Sequence, residues 1–173
     1  DADIEAAAKK AAGQYDDAGQ VCLAGTRMLV DESIAGDFLE LFNRYTDRHV
    51  LGDSRTPSTT VAPLIHPEHL RRVEGFVERA REAGDRVVRG GERWKDDGLW
   101  YLPTLIEPED NHAEIVQREV FGPVLTLQTF ADEAERVGVA GDRRAVDRAR
   151  DDVVERVCHD LLAGELLAVG VLP

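Results

Sequence analysis

Segments of helical and strand-like periodicity alternate along the chain, and this alternation most strongly limits the folds open to it. Apolar residues recur on one helical face over residues 34 to about 48, and a second helix is predicted from Pro67 to a stop at Gly84. Four short runs have the composition of strands: 28–30, 86–89, 99–106 and 124–130. We therefore expect an α/β fold with helices packed on both faces of a largely parallel sheet.

Helices are also predicted at the two ends of the sequence. Acidic residues followed by alanines predict a helix over residues 1–17 that runs into a cysteine-bearing loop. Ser33 is a candidate N-cap for the helix that begins at residue 34. An apolar stripe predicts a last helix over residues 142–162.

Composition excludes several classes of partner. The 173 residues suit one domain, and 34 acidic against 21 basic residues give a net charge of -13, which argues against a nucleic acid or an anionic membrane as partner. No apolar run is long enough for a membrane span, and no signal segment is expected. Two distant cysteines without C-x-x-C spacing argue against a disulfide scaffold or a zinc site and favour a reduced compartment, expected to be the cytoplasm, although a Cys22–Cys158 pair stays open.

Cys22 has two interpretations from its surroundings. A free cysteine is commonly a small buried hydrophobe. Gly19 and Gly25, however, lack a β-carbon on either side of the thiol, so the backbone can turn sharply and let a ligand approach. Cys22 is therefore a candidate nucleophile, with the buried interpretation still open at this point.

Two longer stretches resemble the signatures of one enzyme family. Residues 15–27, YDDAGQVCLAGTR, resemble the active-site cysteine segment of the NAD(P)-dependent aldehyde dehydrogenases, and residues 119–124, EVFGPV, resemble that family's second signature. The resemblance covers residues 1–130 and leaves 131–173 as a divergent C-terminal segment. Within the family, residues 65–70, IHPEHL, look most like the semialdehyde dehydrogenases of aromatic-acid breakdown.

The resemblance implies a fold, a reaction and a set of site residues. It implies the family's catalytic-domain architecture and the oxidation of a small aldehyde with NAD or NADP, with Cys22 as the catalytic residue and no metal. By the same resemblance Glu119 hydrogen-bonds the nicotinamide ribose, Phe121 packs beside the nicotinamide, and His69 lies near the ribose. Without it, Glu119 reads as an exposed acid, Phe121 as a core aromatic, and His66 and His69 as solvent-exposed residues at a helix start.

Several departures from the family pattern are visible. No G-x-G-x-x-G loop occurs, and the resemblance implies that the cofactor domain, the general-base glutamate and the oxyanion-hole asparagine precede residue 1, so we expect a truncated, partial chain. Asp17 replaces the usual asparagine. Ala62 replaces the usual glycine, and this second departure puts a tight turn in doubt. The loss of resemblance after residue 130 suggests a reading-frame change near Arg136 as a hypothesis.

Two other functions stay open at this stage. One is a catalytically inactive domain that serves as a binding or homo-oligomerisation module. The other is a cysteine acyltransferase or hydrolase without nicotinamide, which would need a histidine base, and no motif links any of the five histidines to Cys22.

Overall fold

The computed structural model describes residues 3–132, 134–136, 138 and 167–169. The named elements within them are four α-helices, one 3-10 helix and five strands, and residues 134–136 and 138 are also helical. In chain order these are α1 (Ile4–Ala12), the 3-10 helix (Gly13–Gly19), β1 (Arg27–Asp31), α2 (Ala35–Thr46), α3 (Pro67–Ala83), β2 (Arg86–Arg89), β3 (Thr104–Glu107), α4 (Glu114–Gln117), β4 (Val124–Phe130) and β5 (Leu167–Val169).

The described strands form one largely parallel sheet, which confirms the α/β prediction. Their order is β2-β3-β4-β1-β5, with β2 antiparallel to β3 and the other three pairs parallel. In the β1–β4 pair, Met28 lies opposite Leu127. Because β1, β3 and β4 are parallel neighbours, the loops that enter them meet at one edge of the sheet. The candidate site lies at this edge.

The first two helices pack against each other over a tightly filled part of the core. Alanines of α1 are fully buried at positions such as Ala8 and Ala11, and their small side chains let α2 approach closely. From α2, Phe38 and Phe42 are fully buried, with ring centroids 6.2 Å apart. The apolar stripe predicted for this helix therefore faces the core, as the sequence indicated.

Helix α3 begins and ends where the sequence predicts. Pro67 occupies its first turn, and the His66 side chain caps it by accepting a hydrogen bond from the backbone N–H of Glu68. Gly84 ends the helix with φ +100°, a left-handed conformation that glycine adopts without strain. Val73 and Val77 of its stripe are fully buried.

The helix predicted over residues 1–17 is wrong beyond Ala12. After a short 3-10 stretch the backbone is extended at Asp16 (ψ 148°) and left-handed at Asp17 and Ala18 (φ 54° and 56°). Three consecutive residues before the cysteine loop therefore have positive φ, the third being Gly19. Local helix propensity is overridden here by tertiary contacts, since Ala18 and Gly19 are buried.

Two smaller predictions are also wrong. Ser33 is not the N-cap of α2, because Ile34 holds that position and the Ser33 N–H and hydroxyl both donate to Asp31 Oδ1. The strand predicted from residue 99 begins only at Thr104, because Pro103 has no N–H to give to a ladder.

The backbone shows that the replacement of glycine by alanine at position 62 strains no turn, because Ala62 has no positive φ. Among the helices that the structure describes, none has the length and apolar character needed to cross a membrane. The helix predicted over residues 142–162 lies outside the described residues.

Candidate active site

Cys22 lies in a tight turn immediately before β1. The turn spans residues 21–24 and is closed by the Ala24 N–H, which donates to the carbonyl of Val21 at 3.0 Å. The backbone N–H groups of Cys22 and Leu23 are not used by this bond. Cys22 is a free thiol with intermediate exposure, and Leu23 beside it is 51% exposed. The interpretation of Cys22 as a buried small hydrophobe is therefore wrong.

Two glutamine side chains hold the ends of the cysteine loop. Gln14 Oε1 accepts from the backbone N–H of Gly25 at 2.7 Å. Gln20 Oε1 accepts from the backbone N–H of Ile65 at 2.9 Å and so ties the loop to the segment that leads into α3. Neither glutamine was singled out from the sequence, because each acts on a backbone group far along the chain.

The second signature forms a strained turn at the entrance to β4. Phe121 has φ +56°, a conformation that costs a residue with a β-carbon about 1–2 kcal/mol. The next residue, Gly122, packs so closely on α3 that a β-carbon there would lie 2.7 Å from Val73 Cγ2. Glu119 and Phe121 are partly exposed, so their side chains remain accessible at the sheet edge.

Two side chains of helix α3 bind the backbone carbonyl groups of this turn. His69 Nε2 lies 2.5 Å from the carbonyl oxygen of Phe121, and their rings meet edge to face at 5.9 Å. Arg72 donates to the carbonyls of Val120 and Glu119, the latter at 2.7 Å. Burial, opposed by the hydrogen bond to Phe121 and assisted by the Arg72 charge, lowers the pKa of His69 below its usual range.

The two signature segments touch directly. A β-carbon on Gly19 would lie 2.2 Å from the carbonyl oxygen of Gly122, so no side chain fits between them. The residues are about a hundred positions apart, and the parallel pairing of β1 with β4 brings them together. Each segment enters its strand at the same edge of the sheet, so the thiol loop and the Glu119–Phe121 turn are neighbours in the fold.

A model of the aldehyde dehydrogenase family matches residues 1–146. The chain belongs to this family. The match continues past residue 130, and the predicted division of the chain at that residue stays a prediction.

Curated relatives and solved structures agree with this assignment. The chain is 40% identical over 147 residues to a betaine aldehyde dehydrogenase of Bacillus subtilis and 38% identical over 130 residues to a rat 4-trimethylaminobutyraldehyde dehydrogenase. These alignments cover 82% and 72% of the chain. The structure matches the betaine aldehyde dehydrogenase of Staphylococcus aureus in complex with NAD+, with a TM-score of 0.75 and 37% identity over 82% of the chain and 29% of that protein.

The chain is short beside the aldehyde dehydrogenases that it matches. It spans 30% of the B. subtilis relative and 26% of the rat relative. The KauB aldehyde dehydrogenase of Pseudomonas aeruginosa gives the same proportion, with a TM-score of 0.76 over 81% of the chain and 29% of that protein.

The structure differs from the sequence interpretation at one of the two histidines. His66 is exposed and acts as a helix cap, in line with the plain interpretation. His69 is not simply solvent-exposed, because it is partly buried and contacts Phe121. In this aldehyde dehydrogenase chain His69 contacts Phe121, while its contact with a cofactor ribose stays a prediction.

One residue of the site was missed although a signal for it existed. Arg72 follows His69 by three positions, so both side chains lie on the same face of α3. That spacing could have indicated a shared target. No group of three or more histidine, cysteine or acidic side chains that could hold a metal ion occurs in the part of the chain that the structure describes.

Proposed function

We propose that the intact protein oxidises a small aldehyde to a carboxylic acid with NAD(P), using Cys22 as the nucleophile. The observation that carries the proposal is the backbone contact of Gly19 with Gly122, which sets the thiol loop against the Glu119–Phe121 turn. A partly exposed thiol, on a loop that contacts the turn carrying a carboxylate and an aromatic ring, suits attack on a carbonyl next to a bound cofactor.

The residues at this edge fit a nicotinamide nucleotide. Phe121 is partly exposed, so its ring can lie against a flat heteroaromatic ring. Glu119 supplies carboxylate oxygens that can accept hydrogen bonds from ribose hydroxyls, and His69 lies beside Phe121. When bound, the nicotinamide supplies the acceptor for a hydride. NAD is the cofactor named for the S. aureus relative, and we propose it ahead of NADP.

Cys22 carries the covalent steps of the proposal. Its thiolate attacks the aldehyde carbon, which forms a C–S bond and converts the carbonyl oxygen into the oxyanion of a thiohemiacetal. The backbone N–H of Cys22 can donate to this oxyanion. The carbon then gives up its hydrogen as a hydride, the C=O bond re-forms, and Cys22 is left as a thioester.

Water completes the reaction by cleaving the thioester. Its oxygen attacks the acyl carbon, the C–S bond breaks, and the carboxylic acid leaves with the Cys22 thiol restored. A general base must take a proton from that water. In this proposal it comes from elsewhere in the intact protein, because no described acid is assigned to that role.

The substrate, the cellular compartment and the oligomeric state are proposals as well. The B. subtilis and rat relatives are named for betaine aldehyde and 4-trimethylaminobutyraldehyde, so they lend no support to the expected semialdehyde, and we propose only a small aldehyde as substrate. A reactive thiol needs a reducing compartment, so we propose the cytoplasm. A homo-oligomer is proposed on the resemblance alone.

The test measures formation of the reduced nicotinamide by the intact protein, given acetaldehyde or betaine aldehyde with NAD. We expect turnover that is abolished by Cys22→Ser and kept by Cys158→Ser, the matched change at the chain's other cysteine. A wild-type protein without turnover would instead favour the inactive binding or oligomerisation module. Equal activity in Cys22→Ser and wild type would contradict the assignment of the nucleophile.

A further inference from the structure

Three consecutive carbonyl groups of the second signature are bound by two side chains of α3. His69 binds the carbonyl of Phe121, and Arg72 binds those of Val120 and Glu119. The helix is a rigid platform for them, because it is capped at both ends and its Val73 side chain packs on Gly122. The backbone of the turn is therefore fixed at each residue from 119 to 122.

The geometry of the Arg72 contact is specific to arginine. Its two terminal nitrogens donate to two neighbouring carbonyls, which uses the planar fork of the guanidinium group. The same group lies 5.0 Å from the ring centroid of Phe76, and this stacking limits its rotation. Lysine has the charge but presents no such fork.

The exposure of the Arg72 side chain favours a role in positioning the turn over a role in stabilising the fold. Arg72 is an exposed residue, and hydrogen bonds of exposed charged groups contribute little to the stability of a fold. The segment that it binds is nevertheless strained, since Phe121 is left-handed. A strained turn relaxes when the groups that hold it are removed, and the directions of the Glu119 and Phe121 side chains would change with it.

We propose that Arg72 is a positioning residue for the cofactor contact. It does not itself touch the cofactor. It holds the carbonyls of Glu119 and Val120 and thereby aims the Glu119 carboxylate and the Phe121 ring. The inference rests on the proposed function, because it takes those two side chains to contact the nicotinamide ribose and ring.

The test compares Arg72→Met and Arg72→Lys with Arg71→Met in the intact protein. Arg71 is the matched control, since it is an exposed arginine on the same helix whose ion partner is Glu68 at 4.0 Å. We expect Arg72→Met to raise the KM for NAD about tenfold, the size of effect expected when charged hydrogen bonds are lost. The KM for the aldehyde and the rate of Cys22 alkylation by iodoacetamide should stay within about twofold of wild type.

The conservative variant and the control complete the kinetic test. Arg72→Lys should restore part of the affinity for NAD, because it keeps the charge and one donor. Arg71→Met should match wild type in every measurement. Equal KM values for NAD in Arg72→Met and Arg71→Met would overturn the proposal, as would a rise in both KM values of Arg72→Met by the same factor.

Hydrogen exchange separates this inference from the proposed function. We expect the amides of residues 119–122 to exchange faster in Arg72→Met than in wild type, with β1 and β3 unchanged. A wild-type protein that never reduces NAD would contradict the proposed function, and the exchange rates would still report whether Arg72 holds the turn. Unchanged exchange at residues 119–122 in Arg72→Met would overturn the positioning role by itself.

Discussion

Gly19 is the residue at which the thiol loop meets the second signature. Its φ of +65° lies in the left-handed region, and a β-carbon there would collide with the carbonyl oxygen of Gly122. Both constraints act on backbone atoms, which cannot move aside as a flexible side chain can. The contact therefore accepts glycine alone and links the stability of the fold to the geometry of the site.

Gly19→Ala is expected to destabilise the protein, by at least about 1–2 kcal/mol from the backbone conformation alone. Urea unfolding followed by circular dichroism measures this. The matched control is Gly36→Ala in α2, where a β-carbon meets nothing within 4 Å, and it should be neutral or stabilising by up to about 1 kcal/mol. Equal stability of the two variants would contradict the close contact of Gly19 with Gly122.

The stability of the fold is expected to depend on pH through His69. Its pKa is lowered in the folded protein, chiefly by burial, from the usual value of 6.5. The unfolded chain therefore binds a proton at His69 more readily, so its contribution to stability is complete above pH 6.5 and is lost as the pH falls through the lowered pKa.

His69→Gln should consequently lose less stability than wild type between pH 7.5 and pH 5.5 (about one unit on either side of the histidine's ordinary pKa). Urea unfolding of both proteins at the two pH values gives the difference, in which the titration of shared carboxylates cancels. An equal or larger loss in His69→Gln would show that folding does not lower the pKa of His69.

Tyr15 anchors the 3-10 helix on the sheet. It is fully buried, and its hydroxyl donates to the carbonyl of Thr104 in β3 at 2.8 Å. Burial raises the pKa of Tyr15 well above its usual range, so the hydroxyl keeps its proton and remains a donor. This bond holds the segment that leads into the thiol loop against the edge where β3 begins.

Tyr15→Phe is expected to cost about 1–2 kcal/mol, because it removes a buried hydrogen bond and leaves the Thr104 carbonyl with one partner fewer. Tyr45→Phe is the matched control, since its hydroxyl binds the exposed Glu5, and it should cost less than about 0.5 kcal/mol. Thermal unfolding of both variants tests the difference, and a larger loss in Tyr45→Phe would contradict the anchoring role of Tyr15.

Local signals explain which elements could be predicted from the sequence. Helix α3 was predictable because Pro67, Gly84 and an apolar stripe between them act within the helix itself. The end of α1 at Ala12 also had a local signal that was not used, since Gly13 is its C-cap, whereas the left-handed Asp17 and Ala18 farther on carry no glycine signal. Thr104 as the start of β3 was also missed, since strand composition continues across Pro103.

At the scale of the whole molecule, the order of the strands decides which loops lie next to each other. The strand order itself cannot be deduced from the sequence patterns. The two signature motifs identified Cys22, Glu119 and Phe121 as candidates, and the parallel pairing of β1 with β4 explains how such distant segments meet. Gln14, which accepts from the backbone N–H of Gly25, carries no such motif, whereas the spacing of Arg72 from His69 on α3 was a signal that the sequence did offer. The motifs indicated which residues could carry the chemistry, and the pairing of β1 with β4 brings their segments together.

Acylation of Cys22 tests the proposed chemistry most directly. The intact protein is mixed with aldehyde and NAD, quenched in acid within the first turnovers, digested, and examined by peptide mass spectrometry. We predict an acyl group of the substrate on the peptide that contains Cys22, only when both aldehyde and NAD are present. Turnover without any acyl group on Cys22, or with the acyl group on Cys158, would contradict the role of Cys22 as the nucleophile.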